Sequence, residues 1–134
     1  MFAALEAQVA ELADPWEQVR QIIAASVSLN DLHRRNGWRL WLEYWRAAAH
    51  DTALADDSRV VDAAWLALAE RSIATGVGSG VFRPDGSTHE AARVLHALLD
   101  GFAPALAIEH ERDDALHVIA LVERMMRRLL AYEG

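Results

Sequence analysis

Histidines and a dense run of carboxylates are the first residues that could do chemistry. The chain has six histidines, and Glu109, His110, Glu111, Asp113, Asp114 and His117 form the tightest cluster. Imidazole with carboxylate is a donor set for zinc and di-iron sites, but those sites also need spacing. There is no His-Glu-x-x-His and no repeated Glu-x-x-His of the kind that di-iron bundles use. The run reads as a solvated acidic connector. Gly76-Val77-Gly78-Ser79-Gly80 imitates a phosphate loop, yet no Gly-Lys-Ser/Thr follows it and no strand precedes it. It reads as a turn and a helix cap. Ser79 lies in Val-Gly-Ser-Gly, which lacks the Gly-x-Ser-x-Gly spacing of a nucleophile elbow. With no cysteine in the chain, disulfides, thiolate metal sites and a cysteine nucleophile are excluded. These residues predict no enzyme, no metal and no cofactor; a helical metal-dependent enzyme stands only as an alternative.

The tryptophans carry more. There are five, and Trp38, Trp41 and Trp45 fall at i, i+3 and i+7, so one side of a helix is an indole stripe. Trp65 lies on the next helix and Trp16 at the start of an earlier one. An indole covers a large apolar area and keeps an N–H that needs a partner. Such a face either packs in the core or lines a pocket, and beside Glu43 or other carboxylates it attracts cations through its π-cloud. The expected ligand-binding residues are Trp38, Trp41, Trp45, Trp65 and Phe102.

The elements that must position these residues are helices throughout. Apolar periodicity stays near 3.6, and no segment sustains period-two alternation. A first helix covers 3–13. Asp14-Pro15-Trp16-Glu17 is a strong start for a second, running to about Leu29: Asp14 caps, Pro15 suits the first helical position, and Glu17 completes a capping box. Asn30-Asp31 and Asn36-Gly37 read as turns. A third helix covers 38–50 and a fourth runs from about Ser58 to Thr75, with Gly76 placed to end it in a left-handed cap. After a loop over 77–86, Ser87 and Glu90 box the start of a fifth helix over 88–108, which Pro104 should kink or break. The sixth runs from about Asp113 to Tyr132.

The last two helices are apolar nearly all round. On the sixth only His117, Arg124 and Arg128 make a continuous polar stripe; on the fifth only Arg93, His96 and Asp100 do. Such helices must be covered on most sides, and a small chain cannot easily do that alone. A two-fold dimer through a four-helix interface is expected, carried by Leu95, Leu98, Leu99, Gly101, Leu116, Ile119, Val122, Met126 and Leu130. Glu123 and Arg127 form an i,i+4 pair within one apolar face, either as an interface ion pair or where that face opens to water.

Composition fits this reading. The chain has 134 residues, enough for one domain, and is 53% hydrophobic, above the roughly 45–50% of ordinary globular chains. All 13 basic residues are arginine and the net charge is −7, which opposes nonspecific nucleic-acid binding. Alanine abundance without lysine points to a GC-rich bacterial genome. No signal peptide or membrane span is evident, so a cytoplasmic location is expected.

In order and spacing, several segments together resemble one family. Phe2-Ala3-Ala4-Leu5 is similar to the start of a long helix that follows a DNA-binding head, and Asp14-Pro15-Trp16 to the start of the next. Leu40-Trp41-Leu42-Glu43-Tyr44-Trp45-Arg46-Ala47-Ala48, then Gly76, Gly80, Phe82, Arg83, Pro84 and Asp85, then Leu98-Leu99-Asp100-Gly101-Phe102, resemble the C-terminal effector-binding and dimerisation domain of TetR-family regulators, in the betaine-regulator-like branch. The resemblance covers about residues 1–132. It implies an all-α bundle of about six helices spanning 1–134 as a single domain, a homodimer through the last two helices, and a small-molecule effector held by the earlier ones. It also implies that DNA is reached only through a helix-turn-helix head, which no segment of 1–134 supplies. A dimerisation-only module with a filled core is the alternative.

Overall fold

The computed structural model describes residues 2–27, 31–109 and 112–134, with the side chains of 31–38, 107–109, 112 and 113 left aside. Six helices follow in order: α1 (Phe2–Glu11), α2 (Pro15–Val27), α3 (Asp31–Ala48), α4 (Thr52–Gly78), α5 (Thr88–Glu109) and α6 (Arg112–Leu129). No strand occurs among the described residues, and none of the described helices is long and apolar enough to cross a membrane.

The helix starts obey local chemistry. Asp14 accepts from the Trp16 amide at 3.0 Å, and its carbonyl takes the Gln18 amide at 3.0 Å, satisfying donors that a helix N-terminus leaves open. Glu17 does not turn back to complete the box; it pairs with Arg20 at 2.9 Å. Ser87 Oγ accepts from the Glu90 amide at 3.0 Å and starts α5 as expected. Asp51 caps α4 through the Ala53 and Leu54 amides, at 2.9 and 3.2 Å. The fourth helix therefore begins at Thr52, ahead of Ser58.

Three expected breaks do not occur. The helix α3 passes through Asn36-Gly37, where a turn was expected: a glycine inside a helix costs about 1 kcal/mol, less than interrupting the helix and nucleating another. The helix α4 passes through Gly76 and ends at Gly78. The positive φ falls at Gly80, at 83°. Pro104 sits inside α5 without ending it. Proline forfeits the bond to the carbonyl four residues back, and the buried neighbours Ala103 and Leu106 hold the chain in place there. The acidic connector is correspondingly short, with α5 reaching Glu109 and α6 starting at Arg112; His110 and Glu111 lie outside the described residues.

The core is built from α1, α2, α4, α5 and α6. Val19, Ile22, Ile23 and Val27 of α2 meet Leu68 and Ile73 of α4, Leu95, Leu99 and Leu106 of α5, and Val118, Val122, Met126 and Leu130 of α6. Phe82, from the α4–α5 loop, is among the largest fully buried side chains. No described side chain of α3 is buried in this core, although α3 packs against α4 and α5.

Candidate functional site

On α3, Trp41, Tyr44 and Trp45 meet as a cluster. The rings of Trp41 and Tyr44 stack with centroids 5.5 Å apart and planes at 10°. Trp45 tilts against Trp41 at 5.7 Å and 56°. All three are half-buried. The Tyr44 hydroxyl donates to the Leu54 carbonyl at 3.0 Å, which ties the end of α3 to the start of α4. Its phenol is held above the usual tyrosine range, by desolvation first and then by the negative charges of Asp57 and Asp51. An aromatic face with two carboxylates close enough to be felt can hold an apolar molecule or a cation.

The other expected ligand residues are distributed differently. Trp65 is half-buried on α4 and packs against Phe2 of α1, with centroids 5.1 Å apart at 56°. Phe102 is partly buried against the core. Trp38 is on α3, but its side chain lies outside the described residues. The structure thus brings Trp41 and Trp45 together and joins them to Tyr44, while Trp65 faces α1.

A groove of about 440 Å³ runs between α1, α2 and α4, lined by Glu6, Ala7, Val9, Ala10, Gln18, Leu68, Arg71, Ser72 and Thr75. Arg71 and Glu6 pair at its edge at 3.0 Å. No signal in the sequence pointed to it, because Leu68, Arg71, Ser72 and Thr75 of α4 join α1 and α2 from a distant part of the chain.

The residues expected at a subunit interface divide into two sets. Leu95, Leu99, Val122, Met126 and Leu130 are buried in the protomer's own core. Leu98 and Ile119 are partly buried, while Gly101 and Leu116 are exposed. Val94, Ala97 and Ala105 are also exposed on α5, and with Leu98 and Gly101 they share one helical face by their spacing. Beside that face lies a titratable cluster. His96 Nε2 is 3.2 Å from Asp100 Oδ2 and 3.8 Å from Asp62 Oδ1. The Asp100 carboxyl is pushed above its usual value by burial, against the lowering effect of His96 and with a further push from Asp62. Among the described residues no group of three His, Cys, Asp or Glu could hold a metal ion.

Glu123 and Arg127 do not pair with each other. Glu123 accepts from Arg20 of α2 at 3.1 Å, and both carboxylates around Arg20 stabilise its charge, Glu17 foremost. Arg127 lies over the Trp16 ring at 4.9 Å and over Tyr132 at 5.4 Å. Tertiary partners have outcompeted the i,i+4 neighbour. Trp16 stacks on Tyr132 at 5.1 Å, and Phe82 meets Tyr132 edge-on at 5.5 Å. Sequence reasoning had singled out Trp16 only as a helix start.

A family model for the C-terminal region of BetI-type transcriptional repressors matches residues 15–131. No curated protein and no solved structure matches the chain.

Proposed function

The chain belongs to the family of BetI-type transcriptional repressor C-terminal domains, and from that premise we propose that it is the effector-sensing and dimerisation part of a TetR-like repressor, with no catalytic role. The effector is a small apolar or cationic molecule. The observation that carries this reading is the Trp41–Tyr44–Trp45 face, half-open, beside Asp51 and Asp57. Aromatic side chains that serve only as core are normally covered; these belong to a helix with no described residue in the core. Effector occupancy acts by favouring one packing of α3 against α4 and α5 over another. Trp65, on the side of α4 that meets α1, and Phe102 of α5 act from outside this face, and Trp38 extends the indole stripe by its spacing.

Dimerisation uses the open face of α5, with Val94, Ala97, Leu98, Gly101 and Ala105, next to Leu116 and Ile119 of α6. Small residues there let two helices approach closely. DNA is reached through a helix-turn-helix head, and the acidic chain described here does not contact it alone.

Two measurements test the proposal. Tryptophan fluorescence titrated with quaternary ammonium and with uncharged aromatic compounds should show a saturable change, which Trp45→Ala removes. No response to any compound class would leave dimerisation alone as the function. Light scattering over a dilution series should give a dimer, and Gly101→Arg should yield a monomer; a wild-type monomer at micromolar concentration sinks the dimer.

A further inference from the structure

The groove between α1, α2 and α4 is separate from the aromatic face of α3, and its hydrogen-bond accounting selects a ligand. Its floor is apolar: Val9 and Leu68 are both buried, and Ala7 and Ala10 extend the wall. Ser72 and Thr75 have spent their hydroxyl donors on backbone carbonyls, and Gln18 has spent one of its two amide N–H groups. Gln18 Nε2 donates to Leu12 at 2.7 Å, Ser72 Oγ to Leu68 at 3.1 Å, and Thr75 Oγ1 to Arg71 at 2.9 Å. Arg71 keeps the most. Its guanidinium has five N–H donors, of which one meets Glu6 at 3.0 Å. Both members of that pair are substantially exposed, at 60% and 41%, so the bond is weak and open to exchange.

We propose that this groove is a binding site for a small amphiphilic carboxylate, whose apolar tail lies on Val9, Ala10 and Leu68 and whose head replaces the Glu6 carboxylate on Arg71. Exchange of one carboxylate for another leaves Arg71 charge-paired and gives it the chance of a two-pronged contact. It also removes the ion pair between α1 and α4, while Phe2 on Trp65 and the packing of Leu5 and Val9 in the core remain. Ligand in the groove therefore replaces one polar tie between α1 and α4, while Leu5 and Val9 keep α1 seated on the core.

The two members of the Glu6–Arg71 pair make opposite predictions, which separates a binding site from a structural ion pair. Octanoate is titrated into the full chain by calorimetry, with octan-1-ol as the uncharged control. Octanoate should bind saturably at one site per chain, and octanol should not. Glu6→Gln removes the competing carboxylate and should tighten octanoate about two- to five-fold. Arg71→Gln should weaken it about ten-fold or more. Thr75→Trp, at an exposed position on the groove wall, should block it, while Trp45→Ala should leave it unchanged. The proposal is overturned if octanoate does not saturate, if octanol binds equally well, or if Glu6→Gln and Arg71→Gln shift affinity in the same direction. A loss caused by Trp45→Ala would place the molecule at the aromatic face instead and overturn it too.

Discussion

Two aromatic clusters of similar make-up sit in different parts of the bundle. Trp16, Phe82 and Tyr132 gather where α2, the α4–α5 loop and the end of α6 meet, and Trp41, Tyr44 and Trp45 gather on α3. The first is closed. Trp16 is 3% exposed and Phe82 1%, Arg127 covers two of the rings, and the loop is fastened by bonds from the Val81 and Phe82 amides to the Gly76 carbonyl and from the Arg83 amide to that of Leu130. The second is half-open and fastened by one tyrosine hydroxyl. Aromatic content is therefore a poor guide to role. What separates the clusters is whether the surrounding chain has made room for the rings. At the closed end it has: a Cβ on Gly76 would lie 2.0 Å from the Phe82 ring, so the missing side chain is the seat of the phenyl group.

The sharpest way to break the contrast is truncation at each end. Phe82→Ala should cost about 3–5 kcal/mol in denaturant unfolding, whereas Trp45→Ala should cost about 1 kcal/mol, because a half-covered side chain returns less area to water. Equal losses would mean that the α3 cluster is ordinary core. Next comes Gly76→Ala, which should cost about 1–3 kcal/mol by overpacking against Phe82; near-wild-type stability would mean that the ring has space to move. A smaller effect, of opposite sign, is expected at Ala131. This residue has φ of 50° and occupies the left-handed position of a Schellman ending, with Tyr132 N bonded to the Arg127 carbonyl and Ala131 N to that of Arg128. An alanine there is disfavoured, so Ala131→Gly should stabilise by about 1 kcal/mol, read as a higher unfolding midpoint. Asp57→Asn should barely alter stability, since Asp57 is exposed on α4. It should nevertheless lower the alkaline titration midpoint of Tyr44 in ultraviolet absorbance, because Asp57 helps to keep that phenol protonated. An unmoved midpoint would remove Asp57 from the open cluster.

The same contrast explains what could be read from the chain. Helix starts at Asp14-Pro15 and Ser87 were legible because a cap is made by residues two or three positions away. The ending of α4 was not. Gly76 has the local chemistry of a C-cap, and only Phe82, arriving from the loop, shows why a glycine is required inside the helix. The indole spacing on α3 correctly placed Trp41 and Trp45 on one side. It could not disclose that Trp65 faces Phe2, a residue from the first helix. Glu123 and Arg127 satisfy the rule for helical pairs, yet Arg20 and Trp16 from α2 take both side chains. The amphiphile groove left no trace in local patterning, since its α4 wall is far in sequence from the consecutive helices α1 and α2.

The bond from the Arg83 amide to the Leu130 carbonyl, 2.7 Å long, has a consequence for biosynthesis. Leu130 and Tyr132 are translated well after the α4–α5 loop that they fasten. Until they leave the ribosome, Phe82 can occupy its seat on Gly76 but has neither Tyr132 at its edge nor the loop anchored behind it. A nascent chain stalled within α6 therefore presents an unfastened loop with its phenyl ring half-covered, the kind of segment that chaperones and proteases recognise, and Leu130 and Tyr132 convert that segment into a closed corner.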